Sequence, residues 1–235
     1  MLKFRSLLSA AAVQARDVFS PPLNADPLPD VKPEDARGVV VSFYMPNISR
    51  AVVAAQRRLL KRFTPPDVAI RQVMTTRKHE HAINHFMDTT PYRAVLILDI
   101  DCVPIRQGAV EGVFARAEQG HLVGAVQRAN HIQNGGHLYV APCCLALSQA
   151  TYDRLGRPRF DSTPRGDVAE ELTYTAETIG VPVDFLWPTH SDDNIWTLSE
   201  GVTYGHGTIY DHSFWHAFEI RFRYHQRRFV ARCEE

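Results

Sequence analysis

The sequence predicts an α/β fold: a mostly parallel, Rossmann-like central sheet flanked by helices, with a helix at the C-terminus. Strand-like and helix-like segments alternate from residue 38 in the order β-α-β-α-β. The central strand candidate, Ala94–Leu98, is entirely apolar, as expected of a strand covered on both faces. The 235 residues are enough for one sizeable domain with its own core.

The elements are predicted in chain order. Residues 1–37 are predicted to form an N-terminal helix and a Pro-rich linker, and residues 38–235 the folded domain. Gly38–Tyr44 reads as the first strand, and Ser49 is a suitable N-cap for a helix that ends near Phe63. The other predicted elements are strands at 68–73, 94–98, 122–126, 138–147 and 181–187, a strand or loop at 202–210, and helices at 78–87, 108–119, 149–155, 167–179 and 213–233.

Composition narrows the class of protein. Lys plus Arg and Asp plus Glu both number 26, so net charge gives no reason to expect a nucleic-acid partner. The four cysteines lack paired metal-ligand spacing and are expected to be buried, reduced thiols of a cytoplasmic protein. No apolar run reaches membrane-spanning length. Residues 1–15 faintly resemble a signal peptide, but an amphipathic helix packed on the domain is favoured over one lying on a membrane surface.

Two acidic residues, Asp99 and Asp101, end the central apolar run. Side chains alternate along an extended strand, so both carboxylates are expected on the same side. They stand at the carboxyl edge of the predicted sheet, where open α/β sheets bind ligands. Isolated carboxylates are costly there. A divalent ion that carries a phosphorylated ligand is therefore the expected partner.

The Asp-x-Asp pattern has two chemical interpretations. In the first, a metal held by both residues neutralises the diphosphate that departs from a nucleotide sugar. In the second, the first Asp is the nucleophile and the second the acid/base of a haloacid dehalogenase-like phosphatase. Such a phosphatase needs a later cation, usually Lys, and its motif usually opens the domain. Every lysine here precedes the motif: Lys3, Lys32, Lys61 and Lys78. The metal–diphosphate interpretation is favoured.

The chain resembles glycosyltransferases of the GT-A fold over roughly residues 38–220. The resemblance rests on four features: the Val-Val-Ser-Phe-Tyr strand with its Met45-Pro46-Asn47 loop, the Leu98-Asp99-Ile100-Asp101 motif, the carboxylate-bearing helix start near Asp167, and the segment Tyr204–Tyr210 with its histidine. It implies transfer of a sugar from a nucleotide-diphospho-sugar donor to an acceptor hydroxyl, with Mn2+ or Mg2+. The acceptor, whether a glycan, lipid-linked or other, is left open, as is peripheral membrane contact. A GT-A-shaped domain that binds without turnover is the non-enzyme alternative.

The resemblance also implies roles for individual residues. Phe43, Tyr44 and Asn47 are expected near the base or ribose. Asp101 is expected to be the firmest metal ligand, with Asp99 assisting or binding the ribose. A late histidine often completes the metal site in this family, and His216 is slightly favoured over His206. The spacing of His212 and His216 on a helix would also suit a zinc pair, though no third ligand is evident.

The helix start at Asp167 has a structural and a functional interpretation. Asp167 followed by Glu170 is an Asp version of the capping box. The functional interpretation makes Asp167 the first candidate for the general base of an inverting transferase, with Glu170 or Glu171 as alternatives.

Three polar groups are weaker candidates, for which a solvated surface is the usual explanation. They are Arg77, His79, His81 and His85 for phosphate; Gln127, Arg128, Asn130 and His131 for sugar hydroxyls; and the basic face of the last helix, Arg221 to Arg232, for an anionic acceptor.

Overall fold

The computed structural model describes residues 31–235. The predicted N-terminal helix and most of the linker lie outside these residues. At the end of the linker, the Ala36 N–H donates to the Lys32 carbonyl at 2.9 Å and closes a turn. Ala36 is buried and Val31 packs against the core, so these residues before Gly38 belong to the packed domain.

Twelve strands and six helices occur within residues 31–235. The strands are β1 (Gly38–Tyr44), β2 (Val68–Met74), β3 (Ala94–Leu98), β4 (Cys102–Pro104), β5 (Leu122–Arg128), β6 (Leu138–Ser148), β7 (Val183–Leu186), β8 (Pro188–His190), β9 (Trp196–Ser199), β10 (Val202–Tyr204), β11 (Thr208–Tyr210) and β12 (Phe214–His216). The helices are α1 (Arg50–Phe63), α2 (His79–Thr89), α3 (Ala109–Glu118), α4 (Gln149–Arg154), α5 (Glu170–Ile179) and α6 (Arg223–Arg232).

The central sheet has six strands in the order β2-β1-β3-β6-β5-β7. β1 pairs in parallel with β2 and β3, and β5 with β7, whereas β6 is antiparallel to both of its neighbours. The predicted mostly parallel sheet is confirmed. Ser49 caps α1 as expected, since its side-chain oxygen accepts from the Val52 N–H at 3.4 Å.

Both faces of the sheet are covered, as the apolar central strand predicts. Every residue of β3 is buried. On one face, Leu96 packs with Val110 and Phe114 of α3. On the other face, Ile97 belongs to the cluster that includes Ile83 of α2 and residues of α5. Burial on both sides explains why this strand carries no polar alternation.

A second, antiparallel sheet in the order β4-β12-β11-β8 lies beyond the first, and β9 pairs with β10. The predicted helix at 213–233 is wrong, because its first part is strand β12 and only Arg223–Arg232 is helical. Phe214 is fully buried and Trp215 nearly so, since β12 lies between β4 and β11. Long-range pairing overrides the local helical pattern here.

Other element boundaries also shift. The predicted 202–210 element is two short strands, and the 167–179 helix begins at Glu170. His212 lies in the β11–β12 turn with φ 50°, so the predicted helical His212–His216 pair does not form. All four cysteines are free and buried. None of the helices between residues 31 and 235 is both long and apolar enough to cross a membrane.

Candidate functional site

The principal cleft lies where the order of the strands in the central sheet changes direction. After β1 the chain runs to β2 on one side, and after β2 it returns to β3 on the other side of β1. The carboxyl ends of β1 and β3 flank such a switch point, which is where open α/β sheets bind ligands. A cleft of about 460 Å3 lies there. It is lined by both strand ends and by residues that follow β12, namely Phe43, Tyr44, Met45, Asn47, Ile48, Thr75, Arg77, His79, Asp99, Ile100, Asp101, His216, Phe218, Glu219, Ile220 and Arg221.

The two aspartates meet at a tight turn. The Cys102 N–H donates to the Asp99 carbonyl at 2.9 Å, and the chain then enters β4. Ile100, between the aspartates, is buried in the core. Asp99 and Asp101 do come together, but β3 has already ended at Leu98. The turn, and not the alternation of an extended strand, produces the convergence.

His216 completes the cluster. It lies on β12 opposite Cys102 of β4, and the neighbouring Ala217 N–H donates to the Asp101 carbonyl at 3.0 Å. His216 Nε2 is 3.4 Å from Asp101 Oδ1 and 3.7 Å from Asp99 Oδ2. The structure thus places His216 beside the aspartates, while His206 lies in a separate cluster with Glu219.

Burial and close charges shift the pKa values of Asp99 and His216. Asp101 and His216 are buried, and the Asp99 side chain is 28% exposed. Burial raises the pKa of Asp99; His79 and His216 oppose this, and the like charge of Asp101 adds to it. Burial alone lowers the pKa of His216, but the facing carboxylates of Asp101 and Asp99 raise it above its ordinary 6.5. Two carboxylates and an imidazole form a donor set that suits Mn2+ and accommodates Mg2+.

A buried amide fixes the turn that carries the aspartates. Gln56 of α1 is fully buried, and its Nε2 donates to the carbonyls of Asp99 at 2.8 Å and Cys102 at 3.1 Å. Gln72 of β2 in turn donates to Gln56 Oε1 at 2.8 Å. Gln56 was not predicted as a site residue from the sequence, because a glutamine on a helix is usually solvent-exposed.

The residues expected near a nucleotide lie in the same cleft. Phe43, Tyr44 and Asn47 line it together with the two aspartates. Phe43 packs edge-on against Phe86, with ring centroids 5.7 Å apart, and this contact fixes the aromatic wall. Arg77 also lines the cleft.

The histidines before the central strand separate into two groups. His79 enters the cleft and places Nε2 3.4 Å from Asp99 Oδ1. His81 lies 3.5 Å from Asp161, and neither His81 nor His85 lines the cleft. Of the cleft wall at 218–221, only Arg221 was a candidate from the sequence, because these residues were predicted to lie in the final helix.

A second cleft of about 420 Å3 adjoins the first. Phe218 lines both, so the two clefts share a wall. Asp167 lies in the second cleft. The weaker sugar-binding candidates from the sequence are gathered there, with three aromatic residues: Gln127, Arg128, Asn130, His131, Tyr139, Trp196 and Tyr204.

Glu170, the other predicted catalytic carboxylate, is fully buried. Its carboxylate accepts from Asn134 Nδ2 at 2.8 Å and from the Asp167 N–H at 2.8 Å, and it lies 2.7 Å from His137 Nδ1. The predicted capping box is wrong, because Ala169 and not Asp167 is the N-cap of α5; the Asp167 side chain accepts from the Val168 N–H. Glu170 therefore holds the loop that presents Asp167.

The basic face of the last helix is partly compensated by acids. Arg228 pairs with Asp192 at 2.9 Å, and Arg232 pairs with Glu235. Just before the helix, Arg221 pairs with Glu219 at 2.9 Å.

Comparisons with known proteins give structural matches only. No protein-family profile matches the chain, and no curated protein does. Among solved structures, a mannosyltransferase from Pyrobaculum calidifontis in complex with GDP-Man and Mn2+ is similar at 16% identity and a TM-score of 0.44, over 77% of this chain. This chain spans 61% of the length of that enzyme. A second similar structure, A197 from STIV, has 18% identity and a TM-score of 0.39, with 63% of this chain and 80% of that one covered. Matches at this level do not assign an activity.

Proposed function

We propose that this protein is a metal-dependent GT-A-type glycosyltransferase, which moves a sugar from a nucleotide-diphospho-sugar to an acceptor hydroxyl. The observation that carries the proposal is the convergence of Asp99, Asp101 and His216 at the sheet switch point. Their donor atoms lie within 4.8 Å of one another, in a cleft that also holds the aromatic wall of Phe43 and Tyr44. A carboxylate-rich ion site beside an aromatic surface suits a nucleotide diphosphate.

The donor end of the reaction uses the first cleft. Asp99, Asp101 and His216 would hold Mn2+ or Mg2+, which supplies Lewis-acid neutralisation of the departing diphosphate. Phe43 and Tyr44 offer surfaces against which a base can pack, and Asn47 offers an amide to the ribose. Arg77 provides a positive charge in the same cleft.

The acceptor end uses the second cleft. Asp167 is the candidate general base, since it lines that cleft while Glu170 is buried and hydrogen-bonded. The base would take the proton of the acceptor hydroxyl as the new glycosidic bond forms. Amide, guanidinium and aromatic side chains of the cleft suit a polyhydroxylated acceptor, such as a glycan or a lipid-linked sugar.

The test is a screen of nucleotide sugars for release of free nucleotide, with Mn2+, with Mg2+ and with a chelator. Metal-dependent release from one donor is the expected result, and Asp101→Asn should reduce it at least 100-fold. Asp153→Asn, an exposed carboxylate on α4, is the matched control and should retain full activity. Hydrolysis of a simple phosphate ester without nucleotide-sugar turnover would identify a phosphatase. Nucleotide binding without any turnover would identify a binding domain.

A further inference from the structure

A second group of metal-ligating side chains lies beside the first cleft. It consists of His206, Glu219 and His225, with donor atoms within 4.8 Å of one another. His206 Nε2 is 3.0 Å from Glu219 Oε2, and the His206 and His225 ring centroids are 4.6 Å apart. His206 follows β10, Glu219 follows β12, and His225 is in the first turn of α6. Three separate segments therefore meet at one point.

The backbone that presents Glu219 is strained. Phe218 and Glu219 are consecutive non-glycine residues with φ of 62° and 51°. The left-handed region is unfavourable for residues with a side chain. Phe218 is held by rings on either side, with centroids 3.8 Å from His216 and 5.2 Å from Trp196. The strained link lets His216 face the Asp99–Asp101 pair while Glu219, three residues later, faces His206.

Flanking groups orient the ligands. Asp193 Oδ2 lies 3.4 Å from His206 Nδ1, which leaves Nε2 to point at Glu219. A carboxylate on the second ring nitrogen is the usual support of a metal-binding histidine. Arg221 donates to Glu219 Oε1 at 2.9 Å and leaves Oε2 directed at His206.

The loop around His206 is tightly packed. A Cβ at Gly205 would lie 1.9 Å from the Asp193 carbonyl oxygen. The absence of a side chain at Gly205 therefore allows the 192–193 loop to lie against the backbone beside His206. The His206 side chain is 15% exposed, so its ring has little freedom to turn away.

We propose that His206, Glu219 and His225 form a second divalent-metal site that prefers Zn2+. Two imidazoles and one carboxylate are a characteristic zinc donor set. Ligands of a four-coordinate zinc, with bonds of about 2.0 Å, stand roughly 3.3 Å apart. The 3.0 Å separation of His206 Nε2 and Glu219 Oε2 already matches. The ion takes the place of the proton shared by this pair, and water fills the fourth position.

A metal ion at this site would link α6 to the first cleft. Glu219 lines that cleft, whereas His225 belongs to α6 and His206 to the loop between β10 and β11. A bound ion ties these three segments together and stiffens the cleft wall at 218–221. Zinc binding at this site is independent of glycosyl transfer, because its three ligands lie outside the Asp99–Asp101–His216 group.

The test separates the two sites by variant and by metal. In an Asp99→Asn/Asp101→Asn protein, calorimetric titration with Zn2+ should still show one equivalent bound. Co2+ should give the visible absorption of a tetrahedral N/O site. Adding His225→Asn should weaken Zn2+ binding at least tenfold and abolish that absorption. Adding His212→Asn is the matched control and should change neither, since His212 is exposed and its left-handed turn conformation suits Asn.

Two results would overturn the site. One is the absence of Zn2+ binding in the Asp99→Asn/Asp101→Asn protein. The other is binding that survives both His225→Asn and Glu219→Gln. Urea unfolding of each variant establishes that it is folded, and Glu219→Gln, at a position 32% exposed, serves if His225→Asn does not fold. A donor screen without turnover would refute the transferase and leave this titration interpretable.

Discussion

At the scale of single residues, the geometry of the Asp99–Asp101 turn depends on Gln56. Its amide satisfies two carbonyls of the turn, and a buried carbonyl left without a partner costs about 1–3 kcal/mol. We expect Gln56→Leu to lower the free energy of unfolding by about 2 kcal/mol or more, measured by urea denaturation. Affinity for Mn2+, measured by calorimetry, should fall as well, because the carboxylates lose their fixed positions.

The matched control is Gln107→Leu, the same change at an exposed position before α3. It should leave both quantities within error of the parent protein. If Gln56→Leu had normal Mn2+ affinity despite reduced stability, Gln56 would be a core residue only and would not position the aspartates.

At the scale of elements, Phe229 packs α6 against the second sheet. This side chain is fully buried and stacks on Trp215 of β12, with ring centroids 5.6 Å apart. Truncating a buried aromatic residue typically costs 3–5 kcal/mol. We expect about that loss of unfolding free energy for Phe229→Ala, measured by chemical denaturation. Tyr224→Ala, on the same helix but 69% exposed, should cost little; equal losses would contradict this role for Phe229.

The start of β1 is joined to the end of α3 by a two-pronged ion pair. Arg37 donates to both oxygens of Glu118 at 2.7 Å, and this side-chain hydrogen bond lowers the pKa of Glu118 below its ordinary 4.5. The unfolded chain therefore takes up this proton before the folded protein does, so stability from the pair rises with pH. It is fully present above 4.5 and is lost as pH falls through the lower folded value.

Glu118→Gln should accordingly lower the free energy of unfolding by about 0.5 kcal/mol at pH 7, a value typical of a well-formed surface pair. Urea unfolding at a series of pH values should show the variant and the parent converging as the solution is made acidic. The control is Glu111→Gln on the same helix, whose carboxylate is 3.8 Å from Arg37 and 65% exposed. A Glu118→Gln deficit that did not vary with pH would rule out the ion pair as its source.

At the scale of the whole molecule, ligands that bind only the native state raise its melting temperature. A nucleotide diphosphate–Mn2+ complex that binds as one ligand, at about 100 times its dissociation constant, should add about 2.7 kcal/mol to stability. For a protein of this size that corresponds to roughly 5–10 °C. Scanning calorimetry with UDP, GDP and Mn2+, alone and in combination, measures the effect. Only the combination should give the full shift, and Asp101→Asn should remove it; an equal shift with nucleotide alone would contradict a metal-bridged diphosphate.

The sequence by itself determined the first three strands of the central sheet and the two acidic residues that follow β3. The run Ala94–Leu98, the capped helix after Ser49 and the order of the first three strands follow from local signals: apolar periodicity, caps and turn residues. Asp99 and Asp101 were recognised because their position after a buried strand fixes where they emerge. The residues that flank the two aspartates in sequence are sufficient to predict this position.

Only the tertiary structure decided which partners reach those acids. His216 arrives on a strand whose pairing with β4 joins residues more than a hundred positions apart, and a local reading of 213–233 gave a helix instead. The family resemblance had already favoured His216, but Gln56 and Glu219 were not predicted, because nothing beside them in sequence marks the turn or the histidines they contact. The physical reason is that local signals specify single helices and strands. A cluster such as Asp99, Asp101 and His216 forms only when distant strands pair, and the energy of that pairing comes from residues throughout the chain.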